Sequence, residues 1–196
     1  MKQVFDEYAQ RLREVVSDRD WDDVYSLARS IGLAWSNNQQ IFLCGNGGSA
    51  ANAVHLANDL LYGVSDGKGT GVRVEALPSN TAVLTCLAND ISYDEVFAFQ
   101  IKQYATKGDI LLSISSSGNS ENIIRAIEQA KSLGALTISF VGFDGGRAKE
   151  ISDLCLHISS DNYGICEDAH HALMHIFAQY LRLISIDDKE KIGSIP

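Results

Sequence analysis

Asp109-Ile110-Leu111-Leu112-Ser113-Ile114-Ser115-Ser116-Ser117-Gly118-Asn119-Ser120 passes from a short apolar run into a turn dense in hydroxyls, and a helical pattern follows to about residue 133. An apolar run this short, bounded by Ser and Gly, is the signature of a strand buried on both faces. The same order of strand, Gly/Ser turn and helix occurs earlier, at 41–44, Gly45-Asn46-Gly47-Gly48-Ser49 and 50–62. A Gly-rich loop over 63–71 leads to a strand at 72–77, and strands at 136–141 and 154–158 precede a last helix over 165–186. Strands alternating with helices make a parallel sheet joined by right-handed crossovers. The expected fold class is α/β, a three-layer α/β/α sandwich with a five-stranded parallel sheet. In such sheets ligands bind where the carboxyl ends of the strands open into turns, and both Gly/Ser turns lie on that edge.

Ahead of this core, residues 1–40 give two amphipathic helices. Val4, Tyr8, Leu12 and Val15/Val16 mark one apolar face, and Trp21, Val24, Leu27, Ala28, Ile31 and Trp35 mark the other. The break between them is Ser17-Asp18-Arg19-Asp20. This helical extension is expected to dock on the remainder of a single domain spanning 1–196, or on a neighbouring subunit.

The 196 residues are 45% hydrophobic, enough to close a core, which excludes a disordered acidic chain. No apolar run approaches the roughly 20 residues that span a bilayer. The first residues lack the basic start and apolar stretch of a secretory leader, so a cytoplasmic protein with no membrane partner is expected. A net charge of −9, from 16 Lys+Arg against 25 Asp+Glu, opposes nucleic-acid binding. Cys44, Cys86, Cys155 and Cys166 form no CxxC pair and are expected to be small buried hydrophobes in a reducing compartment.

Three clusters can carry chemistry. The loop Ser115-Ser116-Ser117-Gly118-Asn119-Ser120 combines four hydroxyls, a glycine and the free amides of a helix start, which together suit a phosphate. It is not a GxxxxGK[ST] nucleotide loop, because no lysine occupies the required place. The Gly45–Ser49 turn departs from GxGxxG spacing, but paired with the serine loop it makes the second wall of a cleft for a sugar-like ligand. The third cluster is His55 with Asp59, four apart on one helix, and the run Glu167-Asp168-Ala169-His170-His171-Ala172-Leu173-Met174-His175. Two histidines and two carboxylates make a tetrahedral Zn2+ site if these helices face each other, and helix geometry leaves open whether His171 or His175 is the ligand.

Gly45-Asn46-Gly47-Gly48-Ser49, His55-x-x-x-Asp59, Asn89-Asp90, the Ser115–Ser120 loop, Glu167 and His175, in this order, resemble the sugar isomerase (SIS) domain family, most closely the phosphoheptose (sedoheptulose-7-phosphate) isomerases. The resemblance covers nearly the whole chain. It implies interconversion of a ketose phosphate and its aldose, as in sedoheptulose 7-phosphate to D-glycero-D-manno-heptose 7-phosphate, toward the heptose of lipopolysaccharide or capsule. It also implies one Zn2+ per subunit and a homotetramer with active sites at subunit interfaces. By position, Asn46, Gly47, Gly48, Ser49, Asp59, Asn89, Asp90, Ser115, Ser116, Ser117, Ser120 and Glu167 would hold substrate. His55, Asp59, Glu167 and His175 would hold the metal, the family register taking His175 over His171. Asp59 would be the base and His175 the proton shuttle. The chain departs from the family at Asp59, where a Glu is usual, at Glu167, where a Gln is usual, and in having no arginine over 60–63. The alternatives are an isomerase of another sugar phosphate, or a non-catalytic SIS protein that binds a sugar phosphate and docks on a regulatory partner.

Overall fold

A computed structural model describes residues 2–65 and 70–185. The expected end of the last helix at 186 and the centre of the 63–71 loop lie outside the described residues. Helices α1 (Lys2–Ser17) and α2 (Asp22–Ser36) lead into β1 (Gln40–Gly45), α3 (Gly48–Leu61), β2 (Arg73–Ala76), α4 (Thr81–Asp90) and α5 (Ala98–Tyr104). Then follow β3 (Ile110–Ser115), α6 (Glu121–Ser132), β4 (Leu136–Val141), α7 (Gly146–Ile151), β5 (Leu154–His157) and α8 (Tyr163–Ser185). The strands pair in parallel in the order β2-β1-β3-β4-β5, so the expected three-layer α/β/α sandwich with five parallel strands forms.

Alternation along the strands divides the core in two. Ile41, Leu43, Ile110, Leu112, Ile114, Ile138 and Phe140 face α2, α3 and α8, where Leu27, Ile31, Leu56, Leu60, Leu173 and Phe177 meet them. Phe42, Cys44, Leu111 and Val141 face the opposite layer of α4 to α7, against Ile101, Ile123, Ile127 and Ala148. Phe177 packs edge-on to Phe140 with ring centroids 6.2 Å apart, an arrangement favoured by the ring quadrupoles. The two front helices differ in their depth. α2 contributes Val24, Leu27, Ala28, Ile31 and Ala34 to the first core, so it belongs to a sheet-covering layer. α1 has no buried residue and lies outside, on α8, with Leu12, Val15 and Val16 half-covered.

Three helices were not anticipated: α4, α5 and α7. α4 buries only Leu87 and α7 only Ala148, so neither carries an apolar stripe for periodicity to detect. The cysteines divide too. Cys44 and Cys166 are buried as expected, but Cys86 is exposed, and all four are unpaired. Cys86 departs because α4 turns it outward, toward the Asp90 carboxylate at 3.4 Å.

The amino edge of the sheet is tied by two carboxylates. Buried Asp109 accepts from the Gln40 amide at 2.9 Å and from both the amide and hydroxyl of Thr106, at 2.8 and 2.9 Å. Asp153 likewise accepts from the amide and hydroxyl of Thr137, at 2.9 and 2.7 Å. Burial acts to raise the Asp153 pKa, but the two Thr137 hydrogen bonds and Lys131 outweigh it and hold the carboxyl below its ordinary value. Removing an acceptor leaves its donors unsatisfied, which costs about 1–3 kcal/mol. Asp109→Ala is therefore expected to lower the urea unfolding free energy by about 2 kcal/mol. Chemistry at the opposite edge should be untouched, and equal unfolding midpoints for the two proteins would contradict this assignment.

Candidate functional site

The strand order reverses at β1, which has β2 on one side and β3 on the other. Chains leaving two strands in opposite directions open a crevice between them at their carboxyl ends. With Gly45 paired to Ile114, the Gly-rich turn and the serine loop rise from adjacent strands on either side of that crevice. A cavity of about 140 Å3 lies there, lined by Asn46, Ser49, Ile114, Ser115, Ser116, Ser117, Ser120, Tyr163 and Glu167.

The serine loop is held from behind. Gly142 and Ala148 donate their amides to the carbonyls of Ser116 and Gly118, at 2.8 and 2.9 Å. Gly118 has φ +64°, and a Cβ there would lie 1.9 Å from the Gly145 carbonyl oxygen, so only glycine fits. Within the loop, the Ser115 hydroxyl accepts from the Gly118 amide at 3.2 Å and the Ser117 hydroxyl from the Asn119 amide at 3.3 Å. Ser116 is buried with an unpartnered hydroxyl, and Ser120 stands at the N-cap of α6 without making a side-chain cap bond. Buried hydroxyls normally find partners. Together with the first amides of α6, these donors suit a phosphate.

The facing wall starts at Asn46. Its side chain exchanges hydrogen bonds with Asn122, both at 2.9 Å, and accepts from the Tyr93 hydroxyl at 2.8 Å. Gly47 caps α3 at φ +55°. A Cβ on Gly48 would lie 2.4 Å from a Glu167 carboxylate oxygen, so that carboxylate rests directly over the start of α3.

From this point α3 and α8 face each other along two polar stripes: Gly48, Asn52, His55 and Asp59 against Glu167, His171 and His175. Asn52 spans them, its Nδ2 donating to the Glu167 carbonyl at 3.0 Å and its Oδ1 accepting from His171 Nδ1 at 2.8 Å. Asp59 Oδ2 lies 3.4 Å from His55 Nε2 and 3.3 Å from His175 Nδ1, but it and His55 Nε2 are buried without an aligned hydrogen bond. Burial, and then the neighbouring His55 and His175, push the His171 pKa down. Among the described residues, His55, His171 and His175 form a group whose ligand atoms all lie within 4.8 Å of one another; neither Asp59 nor Glu167 belongs to it, although Asp59 Oδ2 is 3.3–3.4 Å from two of its nitrogens. Two orphaned polar atoms amid three imidazoles are what a divalent cation would satisfy.

His170 takes no part. It is fully buried on the sheet side of α8, donates Nε2–H to the Val141 carbonyl at 3.1 Å, and burial drives its pKa down to about 4. Asn89 and Asp90 do not line the cavity either. They are exposed at the end of α4, where Asn89 Nδ2 donates to Asp90 at 2.7 Å. Asn52, Tyr93, Asn122 and Tyr163 are absent from the residues expected on sequence grounds. Asn52 was detectable in principle, since it shares the His55–Asp59 stripe one turn earlier. A wider groove of about 800 Å3 shares Ser117 and Tyr163 with the cavity and is lined further by Arg11, Asn119, His157 and Asp161.

Comparison with known proteins agrees with this fold. The SIS domain family matches over residues 4–142. The phosphoheptose isomerase of Helicobacter pylori (strain Shi470) is 42% identical over 140 residues, 71% of this chain and 72% of that protein. The enzyme of the same name from Chlorobaculum parvum is 37% identical over 177 residues, 88% of this chain and 83% of its own. The solved structure of a phosphoheptose isomerase from Francisella tularensis superposes with a TM-score of 0.86 at 26% identity, covering 92% of this chain and 95% of that one. No helix among the described residues is long and apolar enough to cross a membrane. The chain belongs to the SIS domain family and, within it, to the phosphoheptose isomerases.

Proposed function

We propose that the protein interconverts sedoheptulose 7-phosphate and D-glycero-D-manno-heptose 7-phosphate in the cytoplasm, supplying heptose for surface polysaccharide. The observation that carries this reading is a hydroxyl-lined cradle reached by Ser49 and Glu167 and, further along the same α3–α8 seam, the Asp59 carboxylate, whose Oδ2 has no aligned hydrogen bond and lies 3.3 Å from His175 on the facing helix. In it, Ser115, Ser116, Ser117 and Ser120 grip the phosphate, far from the reacting carbons, and so supply positioning energy. Asn46, Gly47, Gly48, Ser49 and Glu167 line the sugar.

Moving the carbonyl from C2 to C1 requires a proton to leave C1, an enediolate to form, and a proton to arrive at C2. Asp59 takes the first proton and returns it to C2. His175 accepts the proton of the O1 hydroxyl and delivers it to O2, so the charges balance at each end. General acid–base groups of this kind contribute typically 10²–10⁴-fold to rate.

Zn2+ fits a donor set of imidazole nitrogens and carboxylate oxygens, and the family register would place His55, Asp59, Glu167 and His175 around it. When bound, such a cation stabilises the negative charge that builds on the sugar oxygens. Asn89 and Asp90 reach the sugar in this reading only from a neighbouring copy, in a homotetramer whose active sites lie between subunits. Two features support assembly: α1 buries no residue and exposes Val4 and Phe5, and Val54, Leu61, Tyr62 and Ile176 are exposed on α3 and α8 or just beyond.

Incubation with a panel of ketose phosphates should yield the heptose aldose by NMR, and silence across the panel with metal supplied would overturn the reading. Asp59→Asn should lower kcat by about 10²-fold or more with the thermal midpoint little changed; full turnover would remove Asp59 from the chemistry. Gly48→Ala would push the Glu167 carboxylate off its seat, so KM should rise about tenfold, near 1.4 kcal/mol, with a near-native melt. An unchanged KM would take Glu167 out of the sugar site. Light scattering of the purified protein should return the mass of four copies, and a monomer would exclude sites shared between subunits.

A further inference from the structure

Two pairs of ligand-type side chains, each spaced four residues apart, oppose one another across the α3–α8 contact: His55 and Asp59 on one helix, His171 and His175 on the other. The imidazole centroids are 4.5 Å apart for His55 and His171, 5.0 Å for His55 and His175, and 4.8 Å for His171 and His175. Four ligands placed tetrahedrally at zinc bond lengths stand about 3.3 Å from each other. The two Asp59–histidine edges, at 3.4 and 3.3 Å, already have that length. The histidine nitrogens, all within 4.8 Å of one another, need to close by on the order of 1 Å, which side-chain rotation covers.

His171 is prepared for this role by its hydrogen bond. Nδ1 donates to Asn52 Oδ1 at 2.8 Å, so in the neutral ring Nε2 keeps its lone pair. A second partner that fixes tautomer and ring orientation is what metal-binding histidines have. Asn52 is itself held, because its Nδ2 is committed to the Glu167 carbonyl at 3.0 Å. The Glu167 carboxylate is turned the other way, over Gly48. Gly48 precedes His55 by seven residues, about 10 Å along the axis of α3.

Resting on the reading of this crevice as a metal-assisted isomerase site, we propose that His171 is a ligand of the divalent cation. It completes a set of three histidines and one carboxylate with His55, His175 and Asp59, in place of the Glu167 that the family register would supply; Asn52 orients it, and Glu167 stays with the sugar.

The test uses cobalt(II) as the probe, added to chelator-treated full-length protein, because the intensity and position of its visible bands report ligand number and type. Wild type should take up one cobalt with intense tetrahedral bands that zinc displaces. His171→Ala should weaken cobalt binding 100-fold or more and shift the bands, Asn52→Leu should weaken it about 10–100-fold, and Glu167→Gln should leave affinity and bands within twofold. Bands altered by Glu167→Gln but indifferent to His171→Ala would overturn the ligand set, as would a wild type that takes up no cobalt. If His171→Ala fails to fold by circular dichroism, the contrast between Asn52→Leu and Glu167→Gln decides. Product formation is scored separately. The expected bands without any heptose product would leave the ligand set standing and take down the substrate reading, whereas turnover with bands insensitive to position 171 would take down the ligand set alone.

Discussion

Beside β1, the pairing with β3 that sets Gly45 opposite Ile114 governs what the rest of the chain can do. Because β2 continues on the far side of β1, the helices that follow β1 and β3 cover opposite faces of the sheet. The turns leading to them are forced apart at the carboxyl edge, and α3 and α6 both begin beside the gap. Two helix N-termini therefore bring partial positive charge into one small cavity of a chain whose formal net charge is −9. On the proposed reading, an acidic protein receives a phosphate dianion here because the helix-terminus field is local.

The second constraint is the contact between α3 and α8. Most of that contact is apolar, with Ala53, Leu56 and Leu60 meeting Leu173 and Phe177 on the sheet side. Away from the sheet it becomes polar, and the polar groups are linked in series: Glu167 to Asn52, Asn52 to His171, His171 to the rings of His55 and His175, and those two to Asp59. Polar groups half-withdrawn from water destabilise a fold unless each has a partner. The unpartnered Asp59 oxygen and His55 nitrogen thus mark where local stability has been given up for chemistry.

The parts of the fold that could be read from the chain were those with a single strong period. The apolar runs of β1, β3 and β4 are buried on both faces and need no context to be recognised. α4 and α7 went unseen because each buries one apolar residue, and what holds them lies elsewhere in the chain, as with the Gly118 carbonyl that accepts from Ala148. The site was partly legible for the same reason. Spacing by four puts His55 with Asp59 and His171 with His175, but it cannot say which way a helix is rotated. That rotation sends His170 into the sheet and brings His171 to the cluster. Asn52 carries no motif, and its role exists only once two distant helices are in contact.

The close approach of Gly118 to the Gly145 carbonyl, where a Cβ would lie 1.9 Å away, bears on how such a protein diversifies. No side chain enters there without moving two loops together, so the proposed cradle for the anionic end of the ligand can change only as a block. The opposite wall is built from separate side chains at positions 46, 49, 52 and 167, each replaceable one at a time. New preferences for the carbon skeleton can accumulate there while the grip on the charged end stays as it was.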